Sequence, residues 1–253
     1  MKLDGTIYMY DETRNLISYS NGINSEYNVV LIGGLMFNML NLPYVDHLNV
    51  FCRSKRFGFY IPLFRSHPNY GIYKIEDDLE DLEKLLDSIK GKIILIGNST
   101  GCQVIMKYIK NKSNVILCIL QGAVSDVEYE RSINPDLDKN LELAESFVGV
   151  LPFQHDCNYI TAERYTSLLK PFGNEDLFSS YLEDAFYKKL NPLKVKLIFL
   201  VSENDEFAIE NITKKLSCIE NSTVYEINGD HFLSKESDIK QFLEILNKET
   251  SSY

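Results

Sequence analysis

Short apolar runs alternate along most of the chain with stretches whose apolar residues recur at helical spacing. The apolar runs predict buried strands at Tyr27–Ile32, Phe57–Leu63, Ile93–Ile96, Asn114–Gln121, Lys194–Val201 and Thr223–Ile227. The helical spacing predicts helices at Tyr44–Lys55, Ile75–Ile89, Cys102–Ile109, Glu206–Cys218 and Ser234–Asn247. An opening hairpin is predicted from Thr6–Tyr10 and Leu16–Ser20, which bracket a polar turn. This alternation favours an α/β fold with a doubly wound, mostly parallel sheet that is covered on both faces.

One segment, residues 126–191, breaks the alternation. It has no convincing strand pattern, and helices are predicted at Pro135–Phe147, Thr161–Leu169 and Asn174–Leu190. We therefore expect residues 1–125 and 192–253 to form the α/β core and residues 126–191 to form an inserted helical cap. Ligands bind at the carboxyl ends of parallel strands, where such an insertion would act as a lid. The alternative is a helical excursion on the far side of the sheet.

Composition limits which kinds of partner and which cellular location are expected for the protein. The chain has 253 residues, 45% hydrophobic and 25% charged, with a net charge of −10 and no basic block. This composition argues against a nucleic-acid partner. We expect no transmembrane segment, because the longest apolar stretch, Val29–Leu40, is too short to span a bilayer. The N-terminus lacks the apolar core of a signal peptide, so the default expectation is a cytoplasmic protein.

The five cysteines include no C-x-x-C pair. Nothing in the sequence requires a metal ion or another cofactor. The oligomeric state is left open.

The motif Gly97-Asn98-Ser99-Thr100-Gly101 follows a predicted strand and precedes a predicted helix. In that context G-x-S-x-G predicts a nucleophile elbow, a sharp turn that lifts the serine hydroxyl clear of the sheet at a helix N-terminus. The alternative is a glycine-rich turn with an idle serine. We take Ser99 as the candidate nucleophile.

A serine nucleophile needs a general base and an acid that orients it. Asp205 follows the Lys194–Val201 strand, and His231 follows the last predicted strand, Thr223–Ile227. The order Ser99, Asp205, His231 is the chain order of the α/β-hydrolase triad. Glu203 is the rival candidate for the acid.

An acyl-transfer site also needs donors for the oxyanion of the tetrahedral intermediate. The backbone N–H of Thr100 is the first expected donor, and that of Leu35 or Gly34, after the Tyr27–Ile32 strand, is the second. Met36, Phe37 and Asn98 are candidate residues of the substrate pocket. Core packing is an equally good interpretation of Met36, Phe37 and Leu40.

Several segments resemble the fungal siderophore esterase family typified by fusarinine C esterase, within the α/β-hydrolases. They are Ile32–Leu35, Tyr70–Gly71, Gly97–Gln103, Leu120–Asp126 and Asp176–Ser180. The resemblance implies a hydrolase fold with a helical cap and serine ester hydrolysis, with Ser99 as nucleophile, Asp205 as acid and His231 as base. The chain departs from the family pattern at Asn98, where His is common, and at Ala123, near which Pro is common.

These features predict a serine hydrolase that cleaves a small carboxylic ester through an acyl-enzyme, possible substrates including siderophore-type esters. An acyl thioesterase is the nearest alternative, and the sequence does not separate the two. A second alternative is a hydrolase-like binding protein without turnover. A third, a thiol hydrolase using Cys157 with His155, lacks an oxyanion hole and an orienting group.

Overall fold

The computed structural model describes residues 2–111, 114–190 and 195–253. Lys194, predicted as the first residue of a strand, and the predicted domain boundary at 191/192 lie outside these ranges. The strands are β1 (Thr6–Asp11), β2 (Leu16–Ser20), β3 (Tyr27–Ile32), β4 (Gly58–Pro62), β5 (Lys92–Asn98), β6 (Val115–Gln121), β7 (Val150–His155), β8 (Asn158–Thr161), β9 (Lys196–Ser202) and β10 (Ser222–Ile227). The α-helices are α1 (Val45–Lys55), α2 (Ile75–Ser88), α3 (Thr100–Tyr108), α4 (Asp126–Ile133), α5 (Leu137–Ser146), α6 (Ala162–Leu169), α7 (Asp184–Tyr187), α8 (Thr213–Leu216) and α9 (Glu236–Glu249).

An eight-stranded sheet organises the molecule, in the order β1-β2-β4-β3-β5-β6-β9-β10. From β4 to β10 every neighbouring pair is parallel, whereas β2 runs antiparallel to both β1 and β4. The carboxyl ends of β3, β5, β6, β9 and β10 therefore meet at one edge of the sheet. The predicted α/β class, the mostly parallel sheet and the opening hairpin are confirmed.

The two faces of the sheet carry separate apolar cores because side chains alternate along each strand. On β5, Ile93 and Leu95 pack in the core that includes residues of α2 and α3. Ile94 and Ile96 point the other way, into the core that includes residues of α1 and α9. All four side chains are fully buried. Helices on both faces leave the carboxyl edge of the sheet as the place where loops converge.

Segment 126–191 holds an apolar cluster of its own. Leu137 and Leu141 of α5 pack with Tyr165 and Leu168 of α6. The cluster reaches the rest of the molecule through Tyr70, which is 1% exposed. This cluster is separate from the two cores of the sheet, whereas later residues of the same segment, including Phe178 and Tyr187, pack in the core that includes residues of α2 and α3.

The expectation that segment 126–191 contains no strand is wrong. β7 and β8 pair as an antiparallel hairpin. Pro152 lies within β7, and a proline in the sequence argues against a strand, except for an edge strand. Both strands of a two-stranded sheet are edge strands, so this proline is tolerated. Its turn, Asp156-Cys157, has positive φ at both residues (46° and 62°) without the glycine that usually marks such turns.

The helix predicted at Asn174–Leu190 is also wrong, apart from α7. Asp176 accepts hydrogen bonds from the backbone N–H of Phe172 at 2.9 Å and from the hydroxyl of Tyr181 at 2.6 Å. Such side-chain bonds compete with helical hydrogen bonds, so the segment winds irregularly. Helices predicted at Pro135–Phe147 and Thr161–Leu169 are present as α5 and α6.

The helix predicted at Glu206–Cys218 is reduced to α8, because the residues before it form a loop tied to the end of β10. The carboxylate of Glu206 accepts the backbone N–H of His231 at 3.0 Å. Asp205 accepts the N–H of Phe207 at 3.0 Å. Across the described ranges, the helices are too short or too polar to cross a membrane.

Candidate active site

Ser99 lies on a strained turn between β5 and α3. Its backbone angles, φ 54° and ψ −128°, are costly for a residue with a side chain. A Cβ at Gly97 would lie 2.9 Å from the backbone of Gly101, and a Cβ at Gly101 would collide with the carbonyl oxygen of Ile32. The two glycines of the motif are therefore required by close backbone approach, and the elbow geometry predicted from the sequence is present.

His231 and Asp205 form a buried pair at the carboxyl edge of the sheet. The imidazole Nδ1 lies 2.8 and 2.9 Å from the two carboxylate oxygens of Asp205, and each side chain is 2% exposed. A carboxylate can only accept, so Nδ1 carries a proton, and in the neutral ring Nε2 then has the lone pair. Glu203, the rival acid, is exposed and bonds the end of β10 through its backbone N–H. The structure thus brings Asp205, and not Glu203, to His231.

A buried side chain that the sequence reasoning did not select, Gln121 at the end of β6, links the elbow to the His231 loop. Its Oε1 accepts from Asn98 Nδ2 at 2.7 Å and from the Tyr44 hydroxyl at 3.2 Å. Its Nε2 donates to the carbonyl of His231 at 2.9 Å, and its own carbonyl accepts the N–H of Ser99 at 3.0 Å. The only sequence sign of this role is a polar residue at the carboxyl end of an apolar strand.

The loop after β3 lies directly against the elbow. A Cβ built on Gly34 would lie 2.6 Å from the Cβ of Ser99. Thr100 is the first residue of α3, where backbone N–H groups have no acceptor within the helix. Gly34 and Leu35 also line one cavity with Ser99, so the N–H groups of Thr100, Gly34 and Leu35 stay the candidate oxyanion donors.

His67 supports that loop, a role absent from the sequence predictions. Its Nδ1 accepts the N–H of Phe64 at 3.2 Å, and its ring also bonds the backbone of Gly34. Burial lowers the pKa of His67 to about 4, so the ring is neutral at pH 7 and donates through Nε2. A lone histidine in a loop gives no sequence sign of such a contact.

A cavity of about 120 Å³ opens between the elbow, the β3 loop and segment 126–191. Ser99 and His231 both line it, as do the three predicted pocket residues, Met36, Phe37 and Asn98. Phe37 is also 1% exposed and packs in a sheet core, so both interpretations of that residue apply. Leu40 is 47% exposed and is not part of the lining.

The wall of the cavity opposite the sheet is polar. Glu130 of α4 bonds His155 Nε2 at 3.1 Å, and Nδ1 of that imidazole bonds the hydroxyl of Tyr70. Burial alone would lower the pKa of His155, but the hydrogen bond to Glu130 and the charges of Asp156, Glu130 and Asp126 together raise it. Both ring nitrogens are thus occupied, so His155 has none left to activate Cys157, which is exposed at the hairpin turn.

Asp126, the first residue of α4, lines the same cavity. Burial, reinforced by the nearby charge of Glu175, raises the pKa of Asp126 to about 7. In the part of the chain that the structure describes, His, Cys, Asp and Glu side chains form no cluster of three or more suited to a metal ion.

Comparison with known proteins assigns the chain to a family. The family described as "Protein of unknown function (DUF1749)" matches residues 1–230. The chain belongs to the DUF1749 family. Among curated proteins, no sequence matches this DUF1749 chain significantly.

Solved structures share the fold of this DUF1749 chain at low sequence identity. Siderophore hydrolase EstB from Aspergillus fumigatus is 20% identical with a TM-score of 0.78, over 100% of this chain and 97% of that one. Est1E from Butyrivibrio proteoclasticus is 12% identical with a TM-score of 0.71, over 99% and 98%. Mouse alpha/beta hydrolase domain-containing protein 10 is 16% identical with a TM-score of 0.70, over 94% of each chain. The chain has the α/β-hydrolase fold.

Proposed function

We propose that this DUF1749 chain is a serine hydrolase that cleaves a small carboxylic ester through an acyl-enzyme. The observation that carries the proposal is the buried His231–Asp205 pair, with Nδ1 2.8 Å from the carboxylate, whose His231 lines one cavity with Ser99. That hydrogen bond fixes the tautomer in which Nε2 can accept a proton. The elbow supplies the serine that would give up that proton.

In the proposed reaction, Ser99 Oγ attacks the ester carbonyl carbon while its proton passes to His231 Nε2. The carbonyl π electrons move to oxygen, and the N–H groups of Thr100 and of Leu35 or Gly34 stabilise the oxyanion. Collapse breaks the bond to the alcohol oxygen, which leaves with the proton from Nε2. Water then attacks the carbonyl carbon of the acyl-enzyme and gives a proton to His231 Nε2. Collapse breaks the bond to Ser99 Oγ, which takes that proton back, and releases the acid.

Segment 126–191 is proposed to act as the cap over this cavity. α4 and the β7–β8 hairpin contribute Asp126, Tyr129 and His155 to the wall that faces Ser99. The likeness in fold to a siderophore hydrolase from Aspergillus fumigatus makes siderophore-type esters one candidate substrate class. Nothing in the cavity favours a thioester over an oxygen ester.

Hydrolysis of p-nitrophenyl esters from acetyl to decanoyl tests the proposal. Wild-type turnover should disappear in Ser99→Ala and persist in Ser202→Ala, which removes a buried serine at the carboxyl end of β9. The chain-length profile measures the acyl room under the cap. Equal turnover in wild type and Ser99→Ala would contradict the proposal, and no turnover together with no labelling by a fluorophosphonate would favour a binding protein.

A further inference from the structure

The cavity that holds Ser99 is acidic on its capped side. Its lining includes the carboxylates of Asp126, Glu130 and Asp156, which we call the acidic wall. Among the described lining residues there is no Lys or Arg. A neutral ester needs no such wall, and an anionic substrate would be repelled by it.

The three carboxylates differ in how their charge is balanced. Glu130 is compensated, because it bonds His155 and the side-chain amide of Asn134. Asp156 is 56% exposed on its side chain, so water screens it. Asp126 is half-buried, and no salt bridge within the described ranges includes it.

Asp126 is held in place by an uncharged donor. Gln103 Nε2 donates to Asp126 Oδ2 at 3.0 Å, and Gln103 is 1% exposed. The nearby guanidinium of Arg164 is engaged by Glu175 at 2.5 Å. Asp126 is therefore an oriented carboxyl group on the cavity that bonds no cationic side chain among the described residues, while the charges of Arg164, His231 and His155 act on it through space.

Asp126 lies near the proposed chemistry. It lines the same cavity as Ser99 and is close enough to His231 for the two side chains to interact electrostatically. Tyr129, Phe207 and Phe232 also line the cavity, with Phe207 4.5 Å from the rings of Tyr129 and His231. Aromatic faces beside a carboxylate are the surroundings that proteins use to bind organic ammonium groups.

We infer that the cavity selects esters that carry a protonated or quaternary amine close to the scissile carbonyl, with Asp126 as the carboxylate that pairs with it. This inference rests on the proposed function and adds a substrate class to it. The ammonium would replace the missing countercharge of Asp126, while its alkyl groups pack on the aromatic rings. Asp126 is thereby a specificity-determining residue and takes no part in bond breaking.

Two matched ester pairs test the inference by pH-stat titration. Acetylcholine is compared with its neutral carbon isostere, dimethylbutyl acetate, and β-alanine ethyl ester with ethyl butyrate, with rates normalised to hydroxide hydrolysis. Wild type should favour the cationic member of at least one pair by about tenfold in kcat/KM. Asp126→Asn should bring that ratio close to one. The control Asp184→Asn, which changes an exposed first residue of α7, should leave the ratio as in wild type.

The outcomes separate the inference from the function it rests on. Turnover of the neutral esters without a preference for either cationic ester overturns the inference and leaves the serine hydrolase proposal intact. A preference that survives in Asp126→Asn also overturns it. Failure to hydrolyse any of the four esters, in a protein that no fluorophosphonate labels, contradicts both.

Discussion

Replacing Gln121 should damage both the stability of the protein and the position of His231. Gln121→Met keeps the volume of the side chain but leaves three buried groups without their partner: Asn98 Nδ2, the Tyr44 hydroxyl and the carbonyl of His231. Each buried polar group left unpaired costs about 1–3 kcal/mol. Because the Tyr44 hydroxyl can partly relax, we expect the free energy of unfolding to fall by roughly 3–6 kcal/mol. This is a large part of the free energy of unfolding of a typical domain.

Urea denaturation measures that loss, and ester kinetics measure the positional effect. Gln121→Glu isolates the bond to the His231 carbonyl, since its carboxylate still accepts from Asn98 and Tyr44 but has no N–H to donate. A carboxylate buried there without a cation is itself costly, so we expect Gln121→Glu to lower kcat about tenfold or more and to lose at least as much stability as Gln121→Met. Gln154→Met, an exposed strand position, is the control. A loss under about 1 kcal/mol in Gln121→Met, or wild-type kcat in Gln121→Glu, would refute the reasoning.

Three further changes test separate parts of the account. Asp205→Asn should lower kcat about 10⁴-fold by favouring the wrong imidazole tautomer, whereas Glu203→Gln should stay near wild type; the reverse ranking in steady-state kinetics would move the acid to Glu203. Gly34→Ala places a Cβ 2.6 Å from the Cβ of Ser99, so kcat should fall on the order of 10²-fold, and an unchanged kcat would show that the loop is not held against the elbow. Burial raises the pKa of Asp78 to about 7, so its protonated form is the one the fold favours. The contribution of Asp78 to wild-type stability should therefore fall by up to roughly 4 kcal/mol as pH rises from about 4 to 8, and Asp78→Asn should remove this part of the dependence while the part due to Asp126 remains, in denaturation curves measured across this range.

The sheet and its helices could be predicted because each element is stabilised by its own local pattern. β5 is a run of apolar residues buried on both faces, and α2 repeats its apolar residues at helical spacing. The β7–β8 hairpin could not be predicted in this way, since Pro152 breaks its pattern and its turn holds Asp156 and Cys157 instead of glycine. The predicted helix around Asp176 was wrong because hydrogen bonds to its side chain from Phe172 and Tyr181, four and five residues away, take the place of helical ones.

The residues of the candidate site also fall into two groups, those that a local sequence pattern indicates and those that only contacts distant in the chain reveal. Ser99, Asp205 and His231 could be selected because each follows a strand and their chain order matches a known constellation. Gln121 and His67 could not, since their importance lies in contacts with residues 110 and roughly thirty positions away in the chain. The acidic wall was missed for a similar reason: Asp126 gains its place from Gln103, a neighbour on another helix.

Labelling by a fluorophosphonate, followed by mass spectrometry of the peptides, tests the central claim most directly. The account predicts one adduct, on Ser99 Oγ, which is abolished by His231→Ala because the hydroxyl then has no base to take its proton. Ser202, a buried serine at the carboxyl end of β9, should stay unlabelled. An adduct on any serine other than Ser99, or labelling of Ser99 that does not depend on His231, would contradict the account.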